Sequence, residues 1–253
     1  MIIKIPDSEY FRHPALSQSQ FKTFLDSALK YKHAKSSPQT VSKAFADGSA
    51  IHCFALEPHL FKETFAVWDG DFRSKEAKEW KAEQESKGLT VVKEKDVEDY
   101  KIMGEKLYDG LRLDLVPSSQ KELAAFTNIC GVPCRGKADL LDNDGFLVDI
   151  KTAATIKLRD GIWYNMFDYR YDIQAMWYLL LFSEVKPKGF RFAVIEKKAP
   201  FDWMILEVGM DILIRAKQHI KDGLESYKRC VANKEWPGYT KEVQTINLPP
   251  YLS

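Results

Sequence analysis

The sequence has no apolar run near the ~20 residues that would span a bilayer. Its first residues, MIIKIPDSEYFRHP, lack the long apolar stretch and small-residue cleavage site of a secretory signal. A cytoplasmic location with no membrane partner is therefore expected. Charge of one sign is also missing. Lys and Arg total 37 against 36 Asp and Glu, so any nucleic acid must be held by a local rather than a global excess of cations. Cysteine is scarce, at positions 53, 130, 134 and 230 only, which fits reduced thiols better than a disulfide framework. There is no internal repeat and no low-complexity linker. With 253 residues, 45% of them hydrophobic, one domain with a sizeable core is the expected organisation, its centre running from about 16 to 239.

What is present centres on Lys137 to Thr152, KADLLDNDGFLVDIKT. Two strand-like runs flank Asn143-Asp144-Gly145, a turn with glycine where positive φ is needed. That loop sets the register: Asp142 with Phe146, Leu141 with Leu147, Leu140 with Val148, and Asp139 opposite Asp149. Alternation then predicts one apolar face of Ala138, Leu140, Val148 and Ile150, and an opposite face of Asp139, Asp149 and Lys151. Two carboxylates directly opposed at ~5 Å repel. Such a pair persists where a proton or a cation lies between them, and with a lysine on the same face a divalent cation is the expected occupant.

Other elements follow from period and capping. Residues 15–35 read as a helix with Ser17 or Ser19 as its cap and Phe21, Phe24, Leu25 and Leu29 at helical spacing. Ala46 to Pro58 reads as a helix whose Gly48, Ser49 and Ala50 permit close approach to another element, with His52 on it. Taken alone, that histidine is a hydrogen-bonded core residue. Residues 70–112 suggest two helices joined near Gly88, the second burying Val97, Tyr100, Met103, Leu107 and Leu111. Glu122 to Phe126 reads as a strand. Asp172 is placed as the cap of a helix running to Phe182, with Gln174 and Tyr178 on one face. Gly189–Ile195 and Trp203–Val208 read as strands. Asp211–Asn233 reads as a closing helix with Ile212, Ile214, Ile220 and Leu224 in its apolar set.

The order Asp139, Asp149-x-Lys151 resembles the PD-(D/E)xK nucleases, although Ala138 stands where the family name has proline. Several further stretches are similar to the RecE-type (exonuclease VIII) branch: Gly48-x-x-x-His52 followed by Leu56-Glu57-Pro58, Cys134-Arg135-Gly136 ahead of Asp139, and Trp236-Pro-Gly-Tyr239. Gln174-x-x-x-Tyr178 resembles the Q-x-x-x-Y signature of the RecB and lambda-exonuclease group.

The resemblance implies an α/β fold with a central mixed β-sheet flanked by helices, the restriction-endonuclease-like core. It implies that Asp139, Asp149, the backbone carbonyl of Ile150 and His52 hold Mg²⁺, with Mn²⁺ able to substitute. Lys151 would position or activate the attacking water and Gln174 would orient it. Glu122 is either an exposed strand residue or a group that supports a second metal or orients water. Arg135 and Lys137 would contact DNA phosphates, and Tyr178 would lie beside the DNA backbone. Some relatives hold an iron–sulfur cluster with four cysteines, but one upstream and three near the C-terminus, which the spacing here does not match. By resemblance the activity is a metal-dependent exonuclease on linear double-stranded DNA, acting 5′ to 3′. It would work as a homo-oligomeric ring with a RecT-type single-strand annealing protein, in a phage or prophage setting. A RecB-like nuclease of other polarity or single-strand preference, and a catalytically inactive DNA-binding module, are the alternatives.

Overall fold

The computed structural model describes residues 2–36 and 42–246. The N-terminal part comprises β1 (Ile2–Ile3), α1 (Asp7–Arg12), β2 (Leu16–Ser17), α2 (Gln18–Asp26), α3 (Ala28–Ser36) and α4 (Lys43–Leu56). After these come α5 (Phe61–Thr64), β3 (Phe65–Trp68), α6 (Lys75–Ser86), β4 (Thr90–Lys93) and α7 (Glu94–Gly110). The sheet-forming part holds β5 (Lys121–Ile129), β6 (Val132–Leu141), β7 (Phe146–Ala153), β8 (Leu158–Arg159) and β9 (Ile162–Trp163). It closes with α8 (Asn165–Asp168), α9 (Tyr171–Leu181), β10 (Gly189–Glu196), β11 (Trp203–Glu207) and α10 (Met210–Asn233).

Seven strands make one mixed sheet in the order β1-β5-β6-β7-β10-β11, with β2 added beside β6. The β7 and β10 strands are parallel, so the chain between them crosses over through α8 and α9, while the other neighbours on the main path are antiparallel. Each face is covered. On one side α2, α9 and α10 bring Phe21, Trp177, Phe182 and Leu224 against Phe190 and Phe192 of the sheet. On the other, α4 and α7 bring Ile51, Met103 and Leu107 against Leu140, Val148 and Ile150. The mixed sheet with helices on both faces is the architecture expected above.

The β6–β7 turn has the anticipated register, with Leu140 opposite Val148 and Leu141 opposite Leu147. Gly145 takes φ +88°, which its lack of a side chain permits. Pairing then stops. The strands separate at Asp139 and Asp149, and the Asp139 carboxylate accepts the Ile150 N–H at 2.5 Å in place of a backbone carbonyl. The apolar face also differs from simple alternation. Leu140, Val148 and Ile150 share it, but Ala138 belongs to the opposite core. The disruption lies between them, where Glu122 has φ +55° and neither it nor Asp139 has a partner in the β5–β6 ladder. Where β7 has swung away, β2 pairs with Cys134 and Arg135.

Other expectations change in instructive ways. The helix placed at 15–35 is two helices broken at Ser27, whose backbone is extended, and Leu29 is exposed. Ser17 does cap the first of them, in a reciprocal capping box with Gln20, worth ~1 kcal/mol. The polar stretch near Gly88 contains a short strand, β4, parallel to β3. Asp172 lies inside the first turn of α9, and Arg170 in the left-handed region is the cap residue. In α10 the buried stripe is Leu213, Ala216, Ile220 and Leu224, and Ile214 points to solvent. All four cysteines are free, with Cys134 buried and Cys130 exposed.

Close approach at α4 is made by its partner rather than by Gly48. A Cβ on Gly104 of α7 would fall 2.4 Å from the Cβ of Phe54, whereas one on Gly48 would meet only Thr152 Oγ1 at 4.0 Å. Leucine is the better helix former by intrinsic propensity. Gly104→Leu is nevertheless expected to destabilise the protein by about 3 kcal/mol, because α4 must move off α7. A urea midpoint unchanged or raised in this variant would refute the account.

Candidate active site

Strand divergence opens a cleft of about 1460 Å³ whose wall includes His52, Glu122, Asp139, Asp149, Ile150, Lys151 and Gln174. Each is delivered by a different constraint. Asp139 and Asp149 sit where β6 and β7 part, Lys151 follows on the same face of β7, and Glu122 comes from the irregular turn of β5. His52 hangs from α4 because Ala50, Ile51 and Ala55 bury the opposite side of that helix. Gln174 projects from α9, packed over the sheet through Trp177 and Leu181.

His52 is the centre of a carboxylate cluster rather than a core residue. Its Nε2 is 2.6 Å from Asp139 Oδ2 and its Nδ1 is 3.3 Å from Glu122 Oε1. Burial alone would lower the imidazole pKa, but these two carboxylates overcome it and hold it well above the ordinary value. Glu122 also pairs with Lys137 at 2.5 Å. Burial works against its ionised form, yet His52 and Lys137 prevail and depress its pKa.

Asp149 is 4% exposed, forms an ion pair with Lys151 and accepts Gln174 Nε2 at 2.6 Å. Burial drives its carboxyl up to about 6; Lys151 opposes this and Asp139 adds to it. Burial by itself would lower the Lys151 pKa, but the Asp149 and Asp139 charges raise it, so this lysine is a cation at neutral pH. Its Nζ lies 5.1 Å from the centre of the Tyr171 ring.

Three carboxylates thus face three cationic groups, His52, Lys137 and Lys151. The donor set suits a divalent cation. His52, Glu122 and Asp139 each offer one ligand atom, all within 4.8 Å of one another. The Asp149 carboxylate is turned toward Lys151 and Gln174, its Oδ2 paired with the Lys151 ammonium and its Oδ1 accepting the Gln174 amide. Oxygen ligands with one imidazole fit Mg²⁺ or Mn²⁺. Relative to the set expected from sequence, Glu122 stands in the compact group and Asp149 beside it.

The expected DNA contacts are placed differently. Arg135 is 5% exposed; its guanidinium donates to the Tyr10 carbonyl and lies over the Tyr10 ring. Lys137 bonds Asp7 as well as Glu122. Tyr178 is buried against Gly136 and Phe190, and burial pushes its hydroxyl pKa far up. All three border the cleft, but Arg135 and Tyr178 are packed groups rather than open phosphate contacts in this conformation.

Sequence reasoning missed the part played by the N-terminus. Asp7 and Tyr10 of the short α1 reach the two cations of β6, which no local pattern in MIIKIPDSEY announces. It also missed Tyr171 and Lys22. Lys22 Nζ donates to the Tyr169 carbonyl at 3.1 Å and lies 5.5 Å from the Tyr171 ring centre, and burial brings its pKa down to about 8. The run Tyr169-Arg-Tyr-Asp beside Asp149-x-Lys151 was the available signal.

Among the described residues no helix is long and apolar enough to cross a membrane. No curated protein matches the chain in sequence. Among solved structures, the fold is similar to the crystal structure of a provisionally assigned exonuclease from Eubacterium rectale. That match has a TM-score of 0.64 at 16% identity and covers 98% of this chain and 97% of the other. Residues 17–249 match the family described as PDDEXK-like domain of unknown function (DUF3799). The strand pair that brings Asp139, Asp149 and Lys151 together thus lies inside the matched region, and the chain belongs to this PDDEXK-like family.

Proposed function

We propose that the protein is a metal-dependent deoxyribonuclease that degrades linear double-stranded DNA from its ends. The observation that carries this reading is the arrangement at the β6–β7 divergence. Two buried carboxylates there flank an open cleft, with a cationic lysine on one and a histidine on the other. The exonuclease description of the structurally similar protein supports it. So does the filling of every position of the proposed site with working chemistry, which opposes an inactive DNA-binding module.

Asp139, Asp149, the Ile150 carbonyl and His52 would hold the cation, with Glu122 as a further ligand. A divalent cation bound there would neutralise phosphate charge and lower the pKa of a bound water. Lys151, a cation held by Asp149, would orient the water and offset charge building on the phosphate oxygens. Gln174 fixes the Asp149 carboxylate through its amide and would orient the water beside it. Tyr171 and Phe192, within 6 Å of Lys151 Nζ, limit the positions this ammonium can take. Resemblance to the RecE-type branch adds the finer reading: 5′ to 3′ polarity, a ring-shaped homo-oligomer, and delivery of 3′ single strands to a RecT-type annealing partner.

The test uses linear duplex DNA labelled at either the 5′ or the 3′ end, with Mg²⁺, with chelator, and with Lys151→Ala. Early release of the 5′ label, absent in both controls and on closed circles, is the expected result. Early release of the 3′ label would transfer the reading to a RecB-like nuclease of other polarity. Cutting of circles would make the protein an endonuclease. Tight DNA binding without cleavage under any metal would end the hydrolase reading.

A further inference from the structure

One helix face of the cleft carries more than the histidine. On α4, Phe45, Gly48, Ser49 and His52 recur at spacings of three or four and all line the cleft. They form one row along the groove. Seven residues separate Phe45 from His52, ~10 Å along the helix axis. Stacked bases are spaced at ~3.4 Å along a strand, so the distance is about three bases. Between them the wall is kept low. Gly48 has no side chain and open space up to Thr152, and Ser49 is small.

Phe45 is 56% exposed. Leaving a phenylalanine in water forgoes burial free energy that packing would recover. A single exposed phenylalanine needs no explanation. This one belongs to a set, because Tyr169 and Phe11, 59% and 63% exposed, also border the same cleft. Lys4, Lys157 and Lys197 lie among them in the cleft wall. Aromatic faces interleaved with lysines beside a phosphate-cleaving centre match what an unpaired nucleic-acid strand requires: platforms for its bases and cations for its backbone.

Resting on the deoxyribonuclease reading, we propose that Phe45 is a base-stacking residue for the strand being cut. That makes the preferred substrate a DNA end whose cut strand is unpaired over its last few nucleotides. A base inside a duplex is already stacked on both sides, so the open phenyl face of Phe45 has a partner only once the base is freed. The complementary strand need not enter the cleft. Phe45 acts as a specificity-determining residue, three stacked bases from the carboxylate cluster, and does not touch the reacting atoms.

Two measurements test this separately from the hydrolase reading. In the non-cleaving Lys151→Ala background, a single-stranded oligonucleotide bearing 2-aminopurine is titrated with protein. Quenching on binding is expected with Phe45, lost in Phe45→Ala and restored in Phe45→Trp. In the active protein, Phe45→Ala should raise KM for splayed-end DNA roughly tenfold to a hundredfold, with kcat little changed. Phe45→Trp should recover it. Equal quenching and equal KM in Phe45→Ala would overturn the proposal while leaving hydrolysis intact. Dissociation of an oligomer in Phe45→Ala, seen by sedimentation, would overturn it too, by showing that the ring packs on another copy of the chain. If no DNA is cleaved, the hydrolase reading fails, and the quenching experiment still decides whether Phe45 stacks on bases.

Discussion

Asp149→Asn is expected to reduce DNA hydrolysis by about a thousandfold, since a lost metal ligand removes several kcal/mol of stabilisation and each ~1.4 kcal/mol is a factor of ten. The asparagine is chosen with the surroundings in mind. It keeps the volume of a side chain that is 4% exposed, and its carbonyl can still accept the Gln174 amide. What it removes is the charge that faces Lys151 and lies near Asp139. Burial already pushes the Asp149 carboxyl up to about 6, so the folded protein holds that charge at a cost and loses little by giving it up. The melting temperature should therefore stay within about 4 °C of the parent, the shift ~1 kcal/mol produces in a chain of this size. Asp149→Ala is the less clean variant, because it adds a void to the loss of the Lys151 charge partner that both substitutions share. Loss of the folded state in Asp149→Asn would show the carboxylate to be structural. Full hydrolysis in a folded Asp149→Asn would remove it from the site.

The second large effect is the coupling of metal binding to pH. The His52 pKa is raised above its ordinary 6.5, so the stability it contributes is complete below that value and disappears as pH rises through the raised one. Asp149 acts in the same direction. Its folded pKa of about 6 lies above the ordinary 3.8, so its contribution falls as pH rises between those values. The metal-free protein thus loses stability from both groups on going from pH 5 toward pH 8. A cation needs both in their deprotonated forms and so binds better as pH rises. Displacement of one proton changes affinity by about tenfold per pH unit, or about a hundredfold between pH 6 and 8. The gap in melting temperature between Mg²⁺ and chelator should accordingly be small near pH 5.5 and widen toward pH 8. Calorimetry in buffers of different ionisation enthalpy should show protons released on binding. A gap independent of pH, with no protons released, would exclude His52 as a ligand.

The hairpin could be read from sequence because its determinants are local. Asn143-Asp144-Gly145 specifies a loop length, and loop length specifies the register that opposes Asp139 to Asp149. The helical row of α4 and the placing of Gln174 and Tyr178 on one face of α9 follow from a period of 3.6 residues. These readings needed no knowledge of what lay across the cleft. The corrections arose where distant groups compete. Ala138 changes face because Glu122, on a neighbouring strand, adopts positive φ opposite Asp139. Arg135 and Lys137 were expected at the DNA, but their partners come from Asp7 and Tyr10, more than 120 residues earlier in the chain.

By itself the sequence determined which residues could share a face: two acids and a lysine on paired strands, a histidine on a helix, a glutamine on another. Alternation and helical period are properties of the backbone, and each residue carries them wherever it is placed. Tertiary structure decided which faces meet and in which charge state. The imidazole of His52 lies between Asp139 and Glu122 only because Gly104 lets α4 settle on α7. Burial then sets the balance of charges, since removing water makes a carboxylate costly without a cation and a histidine basic beside two acids. Those are energies of a shared environment, and no stretch of chain contains that environment alone.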